Sequence, residues 1–164
     1  MSQQDTTLGS DVGTDETLTG VEEHIARDWD IWSRSLGTYV QPVLEDLADT
    51  VPSLRAVLLC TADGLNLCTL GVSERDVGRI AALTSSVFGV AAAHRRVISP
   101  VAAEEMSVHI STGDDHTVLL GLALPGLGNF VLGAYAEETR LGILLVELRR
   151  AAEEIRQRLT VEPS

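Results

Sequence analysis

Lysine is absent: all 12 basic residues are arginine. That absence excludes chemistry. A phosphate-binding P-loop needs its lysine, a protein kinase needs its phosphate-pairing lysine, and a Schiff-base enzyme needs an amine. All-arginine usage is also what a GC-rich bacterial genome gives. Aromatic residues make up only 4% against 45% hydrophobic, so the core must be built from Leu, Val, Ile and Ala. Positive charge is scarce, with 24 acids setting the net charge at −12. Such a surface repels nucleic-acid phosphates and anionic lipid, so neither nucleic acid nor membrane insertion is expected. Long apolar runs are scarce too. Residues 117–136 carry no charge, but Pro125, Gly126, Gly128 and Asn129 interrupt them. Two strands and a turn explain that stretch better than a membrane span.

Cysteine appears twice, at Cys60 and Cys68, without metal-ligand spacing. A two-residue turn at Asp63-Gly64 would put them on opposite faces of a hairpin. A three-residue loop would put them on one face, too far apart diagonally for a disulfide. Both are expected to be reduced core thiols of a cytoplasmic protein. The start, MSQQDTTLGS, has neither a basic region nor an apolar run, so no secretory leader is expected.

What is present divides into three parts. Residues 1–18 are acidic and rich in Gly, Ser and Thr, the composition of a disordered tail. Thr19 and Glu22 form a capping box. Val21, Ile25, Trp29, Trp32 and Leu36 then share one helical stripe, and Gly37 is a plausible stop. Residues 19–37 are thus expected to form a separate amphipathic helix, docking by its tryptophans on its own domain or on a partner. Residues 38–160 form the main domain. Its first helix starts near 38–41, because Pro42 is tolerable only close to a helix start, and Pro52 ends it.

Two apolar runs around Asp63-Gly64, LRAVLLCTADGLNLCTLG, spell a hairpin. Ser73 caps a long helix, with Asp76 in the capping-box position, that runs to about Ile98. Met106, Val108 and Ile110 alternate with polar residues in a first later strand. Residues 117–124 and 130–136 give two more, and a last helix runs from about Thr139 to Leu159. Leu141, Leu145, Leu148, Ala152, Ile155 and Leu159 share its apolar face, and Arg150, Glu154 and Arg158 form a ladder on another. The fold class is α+β, an antiparallel five-stranded sheet in the order αββαβββα plus the extra N-terminal helix.

The middle helix is unusual. Val77, Ile80, Ala81, Thr84, Val87, Phe88 and Ala91 form a stripe that can cover the sheet. Gly78, Ala82, Ser85, Gly89 and Ala92 form a second, of small residues. Leu83, Val90 and Val97 form a third, spaced by seven, with Arg79, Ser86 and Ala93 between. A surface helix should be polar on one side. Either these residues pack within one chain, or a second chain covers them; the composition favours the second.

Catalytic motifs do not appear. Pro125–Asn129 joins two strands and opens no helix, so it is a turn and not a phosphate loop. Asp114, Asp115 and His116 suit a hairpin turn, and His94-Arg95-Arg96 complements the dipole at a helix end. No metal site, cofactor or G-x-S-x-G elbow is expected, and the chain is read as no enzyme.

From about residue 38 to 158 the chain resembles the Roadblock family of dynein-light-chain-like domains, especially its bacterial members. The resemblance lies in Val51-Pro52 leading into the Asp63-Gly64 hairpin, the long small-residue helix, the three strands, and a last helix that opens with Arg140-Leu141-Gly142 and carries Leu145-Val146-Glu147-Leu148. Ser53 stands where family members often have Gly, and the acidic tail and helix 19–36 are additions. The resemblance implies a profilin-like or longin-like sheet and a homodimer that pairs the third strand and the middle helix. Its dimer residues here would be Ser86, Val90, Ala93, Val97, Met106, Val108 and Ile110. It further implies a non-catalytic scaffold that binds and regulates a small Ras-like GTPase, with Arg75, Arg79 and Leu83 as partner-binding residues; the resemblance assigns no role to the added helix, whose Trp29 and Trp32 are partner-binding candidates from their apolar stripe alone. A sensor-kinase-type protein is a further implied partner. The competing readings are a small-molecule sensor of PAS or GAF type, which needs an internal cavity with polar groups, and a purely structural adaptor.

Overall fold

The computed structural model describes residues 20–102 and 105–160. The expected acidic tail and the cap at Thr19 lie outside them. A short helix α1, Glu23–Arg27, turns at Asp28 into α2, Trp29–Thr50. The separate helix ending at Gly37 is therefore corrected: α2 runs straight through Gly37 and Pro42. The physical reason is continuity of the buried face. Trp29, Trp32, Leu36, Val40, Val43, Leu44 and Leu47 follow one another at helical spacing, and the last five are buried. Glycine and proline inside a helix cost about 1 and about 3 kcal/mol. Burying each large aliphatic side chain contributes about 1.5–3 kcal/mol, so the stripe prevails. Gly37 also lets the helix lie close to the sheet, since a Cβ there would stand 3.4 Å from the Leu67 carbonyl.

Strands β1 (Leu54–Thr61) and β2 (Asn66–Leu70) form the expected hairpin. Gly64 takes φ +97° at its turn, where Leu65 N–H donates to Thr61 Oγ1 (2.8 Å). Helix α3, Val77–Ile98, crosses to β3 (Ser107–Thr112), β4 (Asp115–Leu124) and β5 (Gly128–Ala136), and α4, Leu141–Thr160, closes the chain. The strands pair antiparallel in the order β2-β1-β5-β4-β3. The crossover through α3 thus joins the two edge strands.

Period-two alternation splits the sheet into two faces. Val57 and Leu59, with Val118, Leu120, Leu122, Phe130 and Leu132, point into the larger core under α1, α2 and α4. Leu58, Cys60, Leu119 and Val131 point the other way, toward Ala81 of α3. Cys60 and Cys68 lie in these two different clusters, both free and buried. Burial pushes the Cys60 thiol up to about 12, with the Asp63 carboxylate adding to it. Cys68 rises to about 11, again mainly by burial.

The N-terminal segment belongs to the larger core. Ile25 is fully buried, and Trp29 and Trp32 pack against the same cluster. Ahead of α1, Val21 bridges to Gly128, Glu22 N–H donates to the Leu127 carbonyl (3.0 Å), and Asn129 N–H donates to the Gly20 carbonyl (3.3 Å). Of the two docking modes open to this helix, the structure shows docking on its own domain.

Candidate interaction surface

Helix α3 is the sole helix on its side of the sheet among the described residues, and it buries little of itself there. Ala81 and Thr84 are its buried residues. Two strand glycines admit it: a Cβ on Gly121 would collide with the Phe88 ring, and one on Gly133 would crowd Leu119. Val77, Ile80, Phe88 and Ala91 are half-buried against the sheet as expected, whereas Val87 is exposed. The helix begins at Val77 rather than at Ser73. Ser73 Oγ donates to Asp76 Oδ2 (2.8 Å) and Asp76 N–H donates to the Ser73 carbonyl (2.8 Å), which folds residues 73–76 into a turn ahead of the helix.

The outward side of α3 is apolar. Leu83 is 52% exposed, Val90 71% and Val97 87%, with Ser86 and Ala93 exposed between them. Val87, Ile98 and Val101 extend the patch; the heptad spacing alone did not reach them. Among the described residues α3 is also the one helix long and apolar enough, by length and composition, to cross a membrane. Arg79, Arg95 and Arg96 stand within it.

Strand β3 lies at the sheet edge and pairs only with β4. Its Val108 stands opposite Leu119 and its Ile110 opposite Thr117. Leu119 belongs to the α3-side cluster, and Val108 packs against it. Val108 and Met106 are half-buried and Ile110 is exposed. The structure therefore puts Val108 and Ile110 on the sheet face that carries α3. An uncovered apolar helix next to an open edge is the arrangement that soluble proteins normally cover.

Arg75 and Arg79 are exposed at the start of α3, near Leu83. Trp29 and Trp32 are not with them. Grouped with these residues by sequence, they instead sit in the opposite layer, half-buried against the larger core. Their apolar rings contribute more there than at an exposed site.

Beside α3 the uncovered sheet face forms an open groove of about 520 Å³, lined by Leu58, Ile80, Thr84, Leu119 and Tyr135 among others. Tyr135 Oη donates to Glu137 Oε1 (3.1 Å), and Glu137 Oε2 accepts from Arg55 Nε (3.0 Å). Loss of solvation, with the Glu137 carboxylate nearby, raises the Tyr135 pKa.

The acidic turn residues have structural partners. Asp115 Oδ1 accepts from the Glu138 N–H (3.1 Å), the Asp114 carbonyl accepts from the Thr139 N–H (3.0 Å), and His116 Nδ1 shares a hydrogen with Ser111 Oγ (2.7 Å). Among the described residues no three His, Cys, Asp or Glu side chains converge on a metal position.

No family model matches the sequence, and no curated protein matches it. Solved structures do. A Roadblock/LC7 domain from Streptomyces avermitilis superposes with TM-score 0.60 at 18% identity, over 71% of this chain and 94% of the other. The chain has the Roadblock fold. MglB from Myxococcus xanthus superposes with TM-score 0.60 at 16% identity, over 77% of this chain and 94% of its own. The gliding protein MglB from Thermus thermophilus gives 0.61 and 16%, over 76% and 90%. These Roadblock structures are matched along nearly their whole length and leave about a quarter of this chain unmatched.

Proposed function

We propose that the protein is a non-catalytic, dimeric, cytoplasmic module that binds and regulates a small Ras-like GTPase. The observation that carries this reading is the uncovered apolar face of α3 beside the open edge of β3. One surface of this kind serves two needs. Its Val90–Val97 end and β3 suit a second copy, which would extend the sheet across the edge. Its Arg75–Leu83 end stays available to a partner. The Roadblock fold and the family resemblance supply the class of partner, and the absence of lysine and of a phosphate loop leaves nucleotide chemistry to that partner.

The sensor reading draws on the groove beside α3. That groove is open-sided, where a sensor needs an enclosed cavity with convergent polar groups, so it ranks second.

The test uses the Ras-like GTPase encoded nearest the gene, loaded with GTP or GDP. The reading expects tighter binding in one nucleotide state and weaker binding by Leu83→Asp. Equal affinity for both states reduces the protein to a scaffold, since a ligand shifts a switch only by its differential affinity. Arg75→Ala and Arg79→Ala are expected to weaken binding and stimulation together. Loss of stimulation with intact binding would instead make one of them an arginine finger.

A further inference from the structure

In a chain with twice as many acids as bases, α3 contains no Asp or Glu at all, while it carries Arg79, His94, Arg95 and Arg96, with Arg75 just ahead of it. The outer face of α3 is thus apolar and basic, and its complement is an acidic segment with a few apolar side chains.

The chain contains such a segment. Residues 1–19 carry Asp5, Asp11, Asp15 and Glu16, no Arg, and Leu8, Val12 and Leu18. The position of their root decides what they can reach. Gly20 is packed so tightly on the Asp63 carboxylate that a Cβ there would stand 2.4 Å from Asp63 Cγ. The next residue, Gly64, is in turn seated on α3: a Cβ on it would meet Ser85 Oγ at 2.9 Å and the Ala82 Cα at 3.3 Å. The segment is therefore rooted, at Gly20, beside the turn that touches α3 at Ala82 and Ser85. Nineteen residues span up to roughly 60 Å extended, and a 22-residue helix is about 33 Å long.

We propose that the acidic N-terminal segment, residues 1–19, docks on the Arg75–Arg79–Leu83 end of α3 and competes there with the GTPase. This rests on the functional reading above for the identity of the competitor, but not for the docking itself. A tethered segment acts at an effective concentration in the millimolar range. An intrinsic affinity of about 0.1 mM would then keep the face about nine-tenths occupied and weaken a competitor about tenfold.

Two measurements on the full chain test it. The first needs no GTPase. A spin label on Ser10→Cys, selective because Cys60 and Cys68 are buried, should broaden the backbone amide signals of residues 79–86 in NMR spectra. Those of α4 should stay sharp. About 0.5 M salt, which shortens charge interactions to a few ångströms, should restore the α3 signals. So should the neutralised chain Asp5→Asn, Asp11→Asn, Asp15→Asn, Glu16→Gln. Equal broadening over α3 and α4, or no effect of neutralisation, overturns the docking. In the second measurement the neutralised chain should bind the GTPase about tenfold tighter than the native chain. Unchanged affinity with docking intact overturns the competition. Docking with no GTPase binding by either chain would overturn the functional reading and leave the docking standing.

Discussion

Gly128 shows how much one position can hold. It adopts φ +121°, and a Cβ on it would stand 2.5 Å from the Gly20 carbonyl oxygen and 2.6 Å from the Val21 Cα. The glycine-rich stretch 125–129 looks from sequence like a turn and no more. Its second task, seating the strand-like segment at 20–22, involves a contact more than 100 residues away that no local pattern announces. Gly128→Ala should cost roughly 2 kcal/mol by combining left-handed strain with a backbone collision, read in denaturant unfolding. The two thiols make a pH prediction. An unfolded thiol ionises near 9, whereas folded Cys60 and Cys68 hold their protons to about 12 and about 11. Above pH 9 the unfolded chain therefore binds fewer protons, and stability falls as pH rises, by at most about 1.4 kcal/mol per pH unit for each thiol. Cys60→Ala should flatten that decline relative to its own stability at pH 7. Below pH 8, native thiols should resist disulfide reagents.

At the scale of elements, α2 marks where reading by local punctuation fails. Gly37 and Pro42 are both helix-breaking signals, and both were outweighed by a buried stripe that runs unbroken from Trp29 to Leu47. The stripe was visible in the sequence; what was not visible is the sheet that covers it, and only tertiary burial decides that contest. The same holds in α4. Leu148, Ala152 and Ile155 are buried as expected, but Leu144 and Ala151 take the central positions, and Leu141, Leu145 and Leu159 are half-buried at the margin. The strands were legible to within two or three residues at their ends, because alternation and turn glycines are local. Two outcomes follow for α2. Pro42 is exposed and its missing N–H leaves the Thr38 carbonyl without its helical donor, so Pro42→Ala should stabilise the fold by about 1 kcal/mol or more, seen as a higher Tm. Tryptophan emission should already be blue-shifted in the free protein, because both tryptophans pack on the core. Ile25→Asp should shift it red by freeing α1.

For the whole molecule, two α/β interfaces were built very unequally. The face under α2 and α4 is closed by large aliphatic side chains. The face under α3 is thin, with glycines at 121 and 133 and two buried helix residues, and the other side of α3 stays apolar in water. The sequence already pointed to this side, through a helix with too few polar positions. It could not show that Val108 and Ile110 fall on the same sheet face, because that depends on register across the sheet. Covering α3 and β3 together with a second copy removes both the exposed patch and the open edge. Light scattering coupled to size exclusion measures this directly. At tens of micromolar the native chain should elute at twice the monomer mass, and Val90→Asp should shift it toward the monomer without loss of folded signal. A native chain that stays monomeric at that concentration would contradict the account.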